Sequence, residues 1–163
     1  MTKNSHIPDN SIKFVPSESQ RQHNLYTNHD DMMHKKITIE YPLNTKSPNI
    51  VWELISTAAG LQKWMADYVE NFGEVIKFTW GEPWTQQDIK ISQILEVEKH
   101  KCIRLKWDDH EEEGVFWEMK IEKSDLTGML SLIITDYAED DDTEYIKGLW
   151  EKNLEKLHRV SGL

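Results

Sequence analysis

The sequence predicts an α+β fold: a curved antiparallel β-sheet wrapped around a long C-terminal helix, with two short helices after the first strand. Three observations carry this reading. Apolar and polar residues alternate through about five consecutive runs between Glu74 and Tyr137, the period of strands with one buried face. Two short segments ahead of them space apolar residues as helices do. The chain then closes on one long amphipathic stretch.

The elements follow in order. Residues 1–35 show neither period and are rich in Asn, Ser, His, Asp and Pro. Such a segment buries too little apolar surface to offset its ordering entropy, so a disordered leader is expected over 1–35 and one folded domain over 36–163. Its His6, His23 and His29 lack metal-ligand spacing and read as part of a solvated tail. Met32 and Met33 stand just before the first strand, so natural translation starting at one of them is a further expectation.

In "KKITIEYPL", Ile37, Ile39 and Tyr41 share one face of a strand that Pro42 ends. Ser47 is a good N-cap and Pro48 suits the first helical turn. Ile50, Val51, Leu54 and Ile55 follow at helical spacing. Thr57 suits the cap of a second short helix, whose face holds Leu61, Trp64 and Met65. After Gly73, "EVIKFTWGE" places Ile76, Phe78 and Trp80 together. "DIKISQILEVE" sets Ile89 and Ile91 on one face and shifts register near Gln93 and Ile94, where a β-bulge or strong bend fits. "CIRLKW" groups Ile103, Leu105 and Trp107, and "VFWEMKIE" groups Val115, Trp117, Met119 and Ile121. "GMLSLIITDY" is apolar enough for burial on much of both faces. The links "HK", "DDHEEEG" and "SDLTG" are short and polar, as a meander of hairpins demands.

In the last element, Ile146, Leu149, Trp150, Leu154, Leu157 and Val160 form one stripe, with Asn153 near its centre. Asp141 and Glu144 have capping-box spacing, and Gly162 lies where a terminator belongs. A sheet with one apolar face must cover it, and only this helix is long enough to do so. The result is the helix-grip architecture.

Composition limits the function. The 163 residues suit one domain with a sizeable core. A net charge of −10 disfavours nucleic acid and anionic membrane surfaces alike. Cys102 is the only cysteine, so no intramolecular disulfide forms and a cytoplasmic setting is expected. No apolar run approaches the roughly 20 residues of a membrane span, so no membrane insertion is expected. The acidic run "AEDDDTE" lacks the alternating ligands and glycine of a calcium loop, and carboxylates suit a helix N-terminus. His110 lies in an acidic hairpin without a second histidine at ligand spacing, and neither a metal nor a cofactor is expected. Cys102 reads as a structural thiol.

The segments "SPNIVWELISTAAGLQKWMAD", "FTWGE", "IRLKW" and "LWEKNLEKLHRVSG" resemble the START-like superfamily, also called SRPBCC or birch-pollen-allergen-like. Within it, the chain resembles bacterial homologues of the activator of the heat-shock-protein-90 ATPase. The matching positions are Ser47 and Pro48, Val51 and Trp52, Gly60 and Leu61, and Trp64. The resemblance covers Lys36 to Leu163. It implies an apolar ligand cavity between sheet and long helix, and relatives that include cyclases and co-chaperones.

The residues bear on this independently. Trp64, Trp80, Trp107, Trp117 and Trp150 fall on inward faces, with Phe78, Met119 and Ile134 between them. Together with Leu149, Asn153 and Leu157 of the last helix, they are the candidate cavity lining. The alternative is that these side chains fill the core themselves. Three functions remain, in this order: a non-enzymatic module binding a small hydrophobic molecule; a protein-partner, co-chaperone-like regulator; and a cyclase or hydrolase-type enzyme using the same pocket. The third requires an inward acid, base or tyrosine with a shifted pKa. Glu118 and Tyr137 are its candidates, although alternation turns Glu118 outward. No catalytic residue is assigned.

Overall fold

A computed structural model describes residues 34–163; the expected leader lies, up to residue 33, outside the described residues. The chain forms β1 (Lys35–Pro42), α1 (Pro48–Ser56), α2 (Ala58–Gln62), β2 (Tyr68–Asn71), β3 (Val75–Trp80), β4 (Asp88–Glu98), β5 (Cys102–Trp107), β6 (Trp117–Lys123), β7 (Leu130–Ala138) and α3 (Thr143–Ser161). The strands make one curved antiparallel sheet in the order β1-β7-β6-β5-β4-β3-β2. From β2 to β7 it is a meander, and β1 joins it beside β7, pairing Lys35 with Ala138 through to Pro42 with Ser131. The helix α3 rests on β1 and β7.

Local chemistry sets the boundaries. The Thr57 hydroxyl accepts the Gly60 N–H at 2.9 Å and so caps α2. Ser47 occupies the N-cap of α1 without a side-chain cap bond, and Pro48 starts the helix. The capping box at α3 is not made. Its N-cap is Asp142, which makes no cap bond, after a 3₁₀ turn over Asp140–Asp142. Gly162 ends α3 at φ 75°, and its N–H reaches the His158 carbonyl. Gly60 serves a close approach: a Cβ there would collide with the Glu53 carbonyl oxygen and the Leu54 backbone. That contact, where α2 meets the end of α1, explains the glycine of the Gly-Leu pair.

Trp52 and Trp64 are both buried, and Trp64 Nε1 donates to the Leu54 carbonyl at 2.9 Å, tying the end of α2 to α1. Ile50, grouped with the apolar face of α1 by its spacing, is exposed, and the buried face holds Val51, Trp52, Leu54 and Ile55. Val160 is likewise exposed, so the buried stripe of α3 ends at Leu157.

The alternating strands bury the expected face with one exception. The face of β4 is inverted: Lys90 and Ser92 are buried, whereas Ile89 and Ile91 are exposed. Register accounts for this. Ser92 pairs with Ile76 and with Trp107, and Lys90 pairs with Phe78, all inward residues. Pairing by one more residue would flip the whole strand. The register shift falls between Ile94 and Glu96, one residue beyond the expected point. The sheet also carries a short strand, β2, which four residues were too few to signal.

Candidate functional site

The site residues come from strands facing one helix. Alternation projects Phe78 and Trp80 from β3, Trp107 from β5, Trp117 and Met119 from β6, and Ile134 and Asp136 from β7 to the inner side. From α3 come Leu149, Trp150, Asn153 and Leu157, and from the segment after α2 come Trp64 and Met65. All are buried.

The aromatic rings make one continuous path. Phe78 lies 6.1 Å from Trp80, stacked at 16°. It meets Trp107 edge-on at 5.3 Å. Trp107 stacks on Trp117 at 5.1 Å and 14°. Trp117 lies 5.9 Å from Trp150, and Trp150 lies 6.4 Å from Trp64. Each such pair contributes about 0.5–1.5 kcal/mol beyond the area it buries. Met119 and Ile134 are direct cross-strand partners.

A buried indole also needs a hydrogen-bond acceptor, and four are satisfied. Trp64 and Trp80 donate to the carbonyls of Leu54 and Met65. Trp117 donates to Ser92 Oγ at 2.9 Å. Trp150 donates to Asp136 Oδ2 at 2.8 Å. Ser92 thus explains the inverted face of β4 in part: an inward hydroxyl serves an inward tryptophan.

Asp136 is the inward acid that sequence reasoning missed. It lies next to Tyr137 in a strand apolar enough to hide one carboxylate. Burial pushes its carboxyl up to about 6, against the Trp150 indole, the Tyr137 backbone N–H and the positive charge of Lys90, which all lower it. Lys90 is also buried, with Nζ 3.2 Å from Asp109 and 4.7 Å above the Trp107 ring. Among the inward groups, Asn153 has no exposure; its Nδ2 lies 3.8 Å from Met65 Sδ, and its Oδ1 has no hydrogen-bond partner among the described residues.

The earlier acid candidates lie elsewhere. Glu118 faces outward and is buried beneath Arg104, whose Nη2 and Nε approach Oε2 at 2.7 and 2.8 Å. Tyr137 packs edge-on against Phe116 on that outer side. Cys102 Sγ lies 3.6 Å from Glu118; burial and that carboxylate push the thiol up to about 11, so it stays protonated near neutrality. Among the described residues no group of three or more His, Cys, Asp or Glu is placed to hold a metal ion. No described helix is long and apolar enough to cross a membrane.

This architecture defines a helix-grip class, and comparison with known families places the chain within it. A family model described as the START-like superfamily domain matches residues 32–163, and the chain belongs to that superfamily. A solution structure of a protein from Bacteroides fragilis is 36% identical, with a TM-score of 0.55, covering 79% of this chain and 92% of that one. Two less similar structures share the fold. The Aha1 dimer of Colwellia psychrerythraea has a TM-score of 0.57 at 16% identity, covering 77% of this chain and 93% of that one. The AHSA1-like protein of Aeromonas hydrophila has a TM-score of 0.61 at 14% identity, covering 77% and 90%. No protein with a curated description matches the sequence.

Proposed function

We propose that this START-like domain binds a small hydrophobic molecule between the sheet and α3, without catalysing a reaction. The supporting observation is the aromatic path from Trp80 to Trp64, apolar along its length and interrupted only by Ser92, Asp136, Lys90 and Asn153. Apolar walls with a few placed polar groups are the usual composition of small-molecule sites. In this reading the domain expected over residues 36–163, with β1 beginning one residue earlier at Lys35, is the working part, the residues ahead of it are a leader, and the setting is cytoplasmic. Fatty acids, isoprenoids and an apolar fluorescent probe are titrated while indole emission is followed. A saturable change with at least one compound is expected. Absence of saturable binding throughout, with no small molecule retained in native mass spectrometry, overturns the reading.

A second reading, a co-chaperone-like regulator, draws on a separate observation. Tyr68, Ile89 and Ile91 are exposed on the outer face of β2 and β4, and Phe72 and Trp84 are exposed in the adjoining loops. Such apolar surface suits a protein partner. Stimulation of ATP hydrolysis by heat-shock protein 90, lost in an Ile89→Lys, Ile91→Lys variant, would favour it over the first reading.

A further inference from the structure

We propose that the free edge of β1 pairs with the same edge of a second copy of this chain, antiparallel and centred on Thr38. The strand β1 ends the sheet: β7 takes one side of it, and among the described residues no strand takes the other. The ladder fixes which backbone groups are left over. The Leu43 N–H reaches the Leu130 carbonyl at 2.8 Å, in step with the pairing of Pro42 with Ser131 and of Lys35 with Ala138. Hydrogen-bonding positions alternate along an antiparallel pair. Ile37, Ile39 and Tyr41 therefore turn their backbone groups to β7, and Lys36, Thr38 and Glu40 turn theirs to the open edge. The side chains of Lys36, Thr38 and Glu40 are all exposed. Such an edge is a template for another strand.

The residues on that edge select the occupant. Lys36 and Glu40 carry opposite charges at equal distances from Thr38. They stand about 13 Å apart along the strand, too far to meet within one copy. In an antiparallel pair centred on Thr38, Lys36 of each copy lies opposite Glu40 of the other, and Thr38 lies opposite Thr38. Each of these positions then exchanges backbone hydrogen bonds across the new seam. The other symmetric registers are worse. Centring on Lys36 or on Glu40 sets like charges opposite each other, which destabilises a strand pair. Centring on Ile37 sets Lys36 opposite Thr38, and centring on Ile39 sets it opposite Pro42, which has no N–H to give. The register centred on Thr38 also covers apolar surface. Ile39 and Tyr41 lie on the core face but are only half-buried, packed against the cluster that encloses Ile37. Pairing puts Ile39 of one copy opposite Ile37 of the other, and Tyr41 opposite the aliphatic stem of Lys35.

One strand edge buries less than the roughly 1,200 Å² at which standard interfaces begin, so the dimer is expected to dissociate on dilution. Sedimentation of the full chain from about 1 to about 500 μM tests this, with the apparent mass expected to rise from 19.3 kDa towards twice that value. Lys36→Glu and Glu40→Lys each set like charges opposite in both pairs and should weaken the dimer at least about fivefold. With a net charge of −10, overall repulsion would move these two variants in opposite directions. An equimolar mixture of the two restores both opposite-charge pairs, and its association should return to that of the unaltered chain. Both positions are exposed, so the fold is not at stake. Amide exchange gives the location: the Thr38 N–H should exchange freely in dilute protein and become protected as the dimer forms. A chain that stays monomeric at the highest concentration overturns the proposal. So does a dimer unaffected by the single reversals, which would lie on another surface, and so does a mixture that associates no better than its components. Protection of the Thr38 N–H in the monomer also overturns it, since a segment of the same chain then occupies the edge.

Discussion

A carboxyl group enclosed by aromatic rings must either hold its proton or find donors, and Asp136 does some of each. Its pKa of about 6 stands above the ordinary 3.8 because burial outweighs the two N–H donors and Lys90. The folded protein thus binds this proton more tightly than the unfolded chain does. Raising the pH from about 4 to about 6 therefore removes stability, on the order of 3 kcal/mol from this group. Asp136→Asn is expected to abolish that component, so urea midpoints of the two proteins should diverge in slope across this window. Parallel pH profiles would show that the carboxyl titrates as it does in the unfolded chain. Trp150→Phe keeps an aromatic side chain, smaller than the indole, and removes the donor to Asp136. Its expected effects are a further rise in the Asp136 pKa, read by 13C NMR titration, and a loss of about 1–3 kcal/mol at neutral pH. An unchanged pKa would contradict a charge-stabilising role for the indole.

At the scale of elements, the close approach of α1 and α2 depends on one missing side chain. Gly60→Ala drives a Cβ into the Glu53 carbonyl, and a loss of about 1–3 kcal/mol in denaturant unfolding is expected. An unaltered midpoint would mean that the two helices separate at little cost. The strand β4 supplies a contrast. Ile89→Thr, on the exposed face, should change stability by less than about 0.5 kcal/mol. Ser92→Ala removes the acceptor of the Trp117 indole and should cost about 1–3 kcal/mol. The reverse ranking would restore the face that the isoleucines suggested. Periodicity identified most elements because β3, β5 and β6 each bury one apolar face, and α3 one stripe. It misassigned β4 because register there answers to cross-strand neighbours and an indole donor, neither of which is local. It passed over Tyr68–Asn71, where only Val69 is buried and no alternation develops. For the site, the inward rings and Asn153 were legible from spacing. Asp136 was not, since a lone acid in an apolar strand gives no sign of the indole that meets it.

Across the whole molecule, β1 and β7 are remote in sequence and adjacent in the sheet, and α3 packs on both. One apolar cluster runs from Ile37 and Ile55 through the tryptophans to Leu157. The sheet and the helices thus have no separate cores on which to persist. Indole emission and amide I infrared absorption should therefore give a single urea midpoint. Two midpoints would mean that α3 or the β2–β3 edge comes away by itself.

The stacking of Trp107 on Trp117, 5.1 Å apart and nearly parallel, has an optical consequence. Transition dipoles this close couple, so the two indoles share their excited states rather than absorb as separate chromophores. Trp150 and Phe78 extend the array to either side. The far-ultraviolet dichroism of the protein should then contain an exciton couplet of purely aromatic origin, superimposed on the backbone spectrum and removed by Trp107→Leu. Helix and strand contents taken from such a spectrum would be wrong in a way that tracks the orientation of one ring pair. The same couplet offers a readout of the interior, since a small tilt between the two rings changes its amplitude without any change in the backbone.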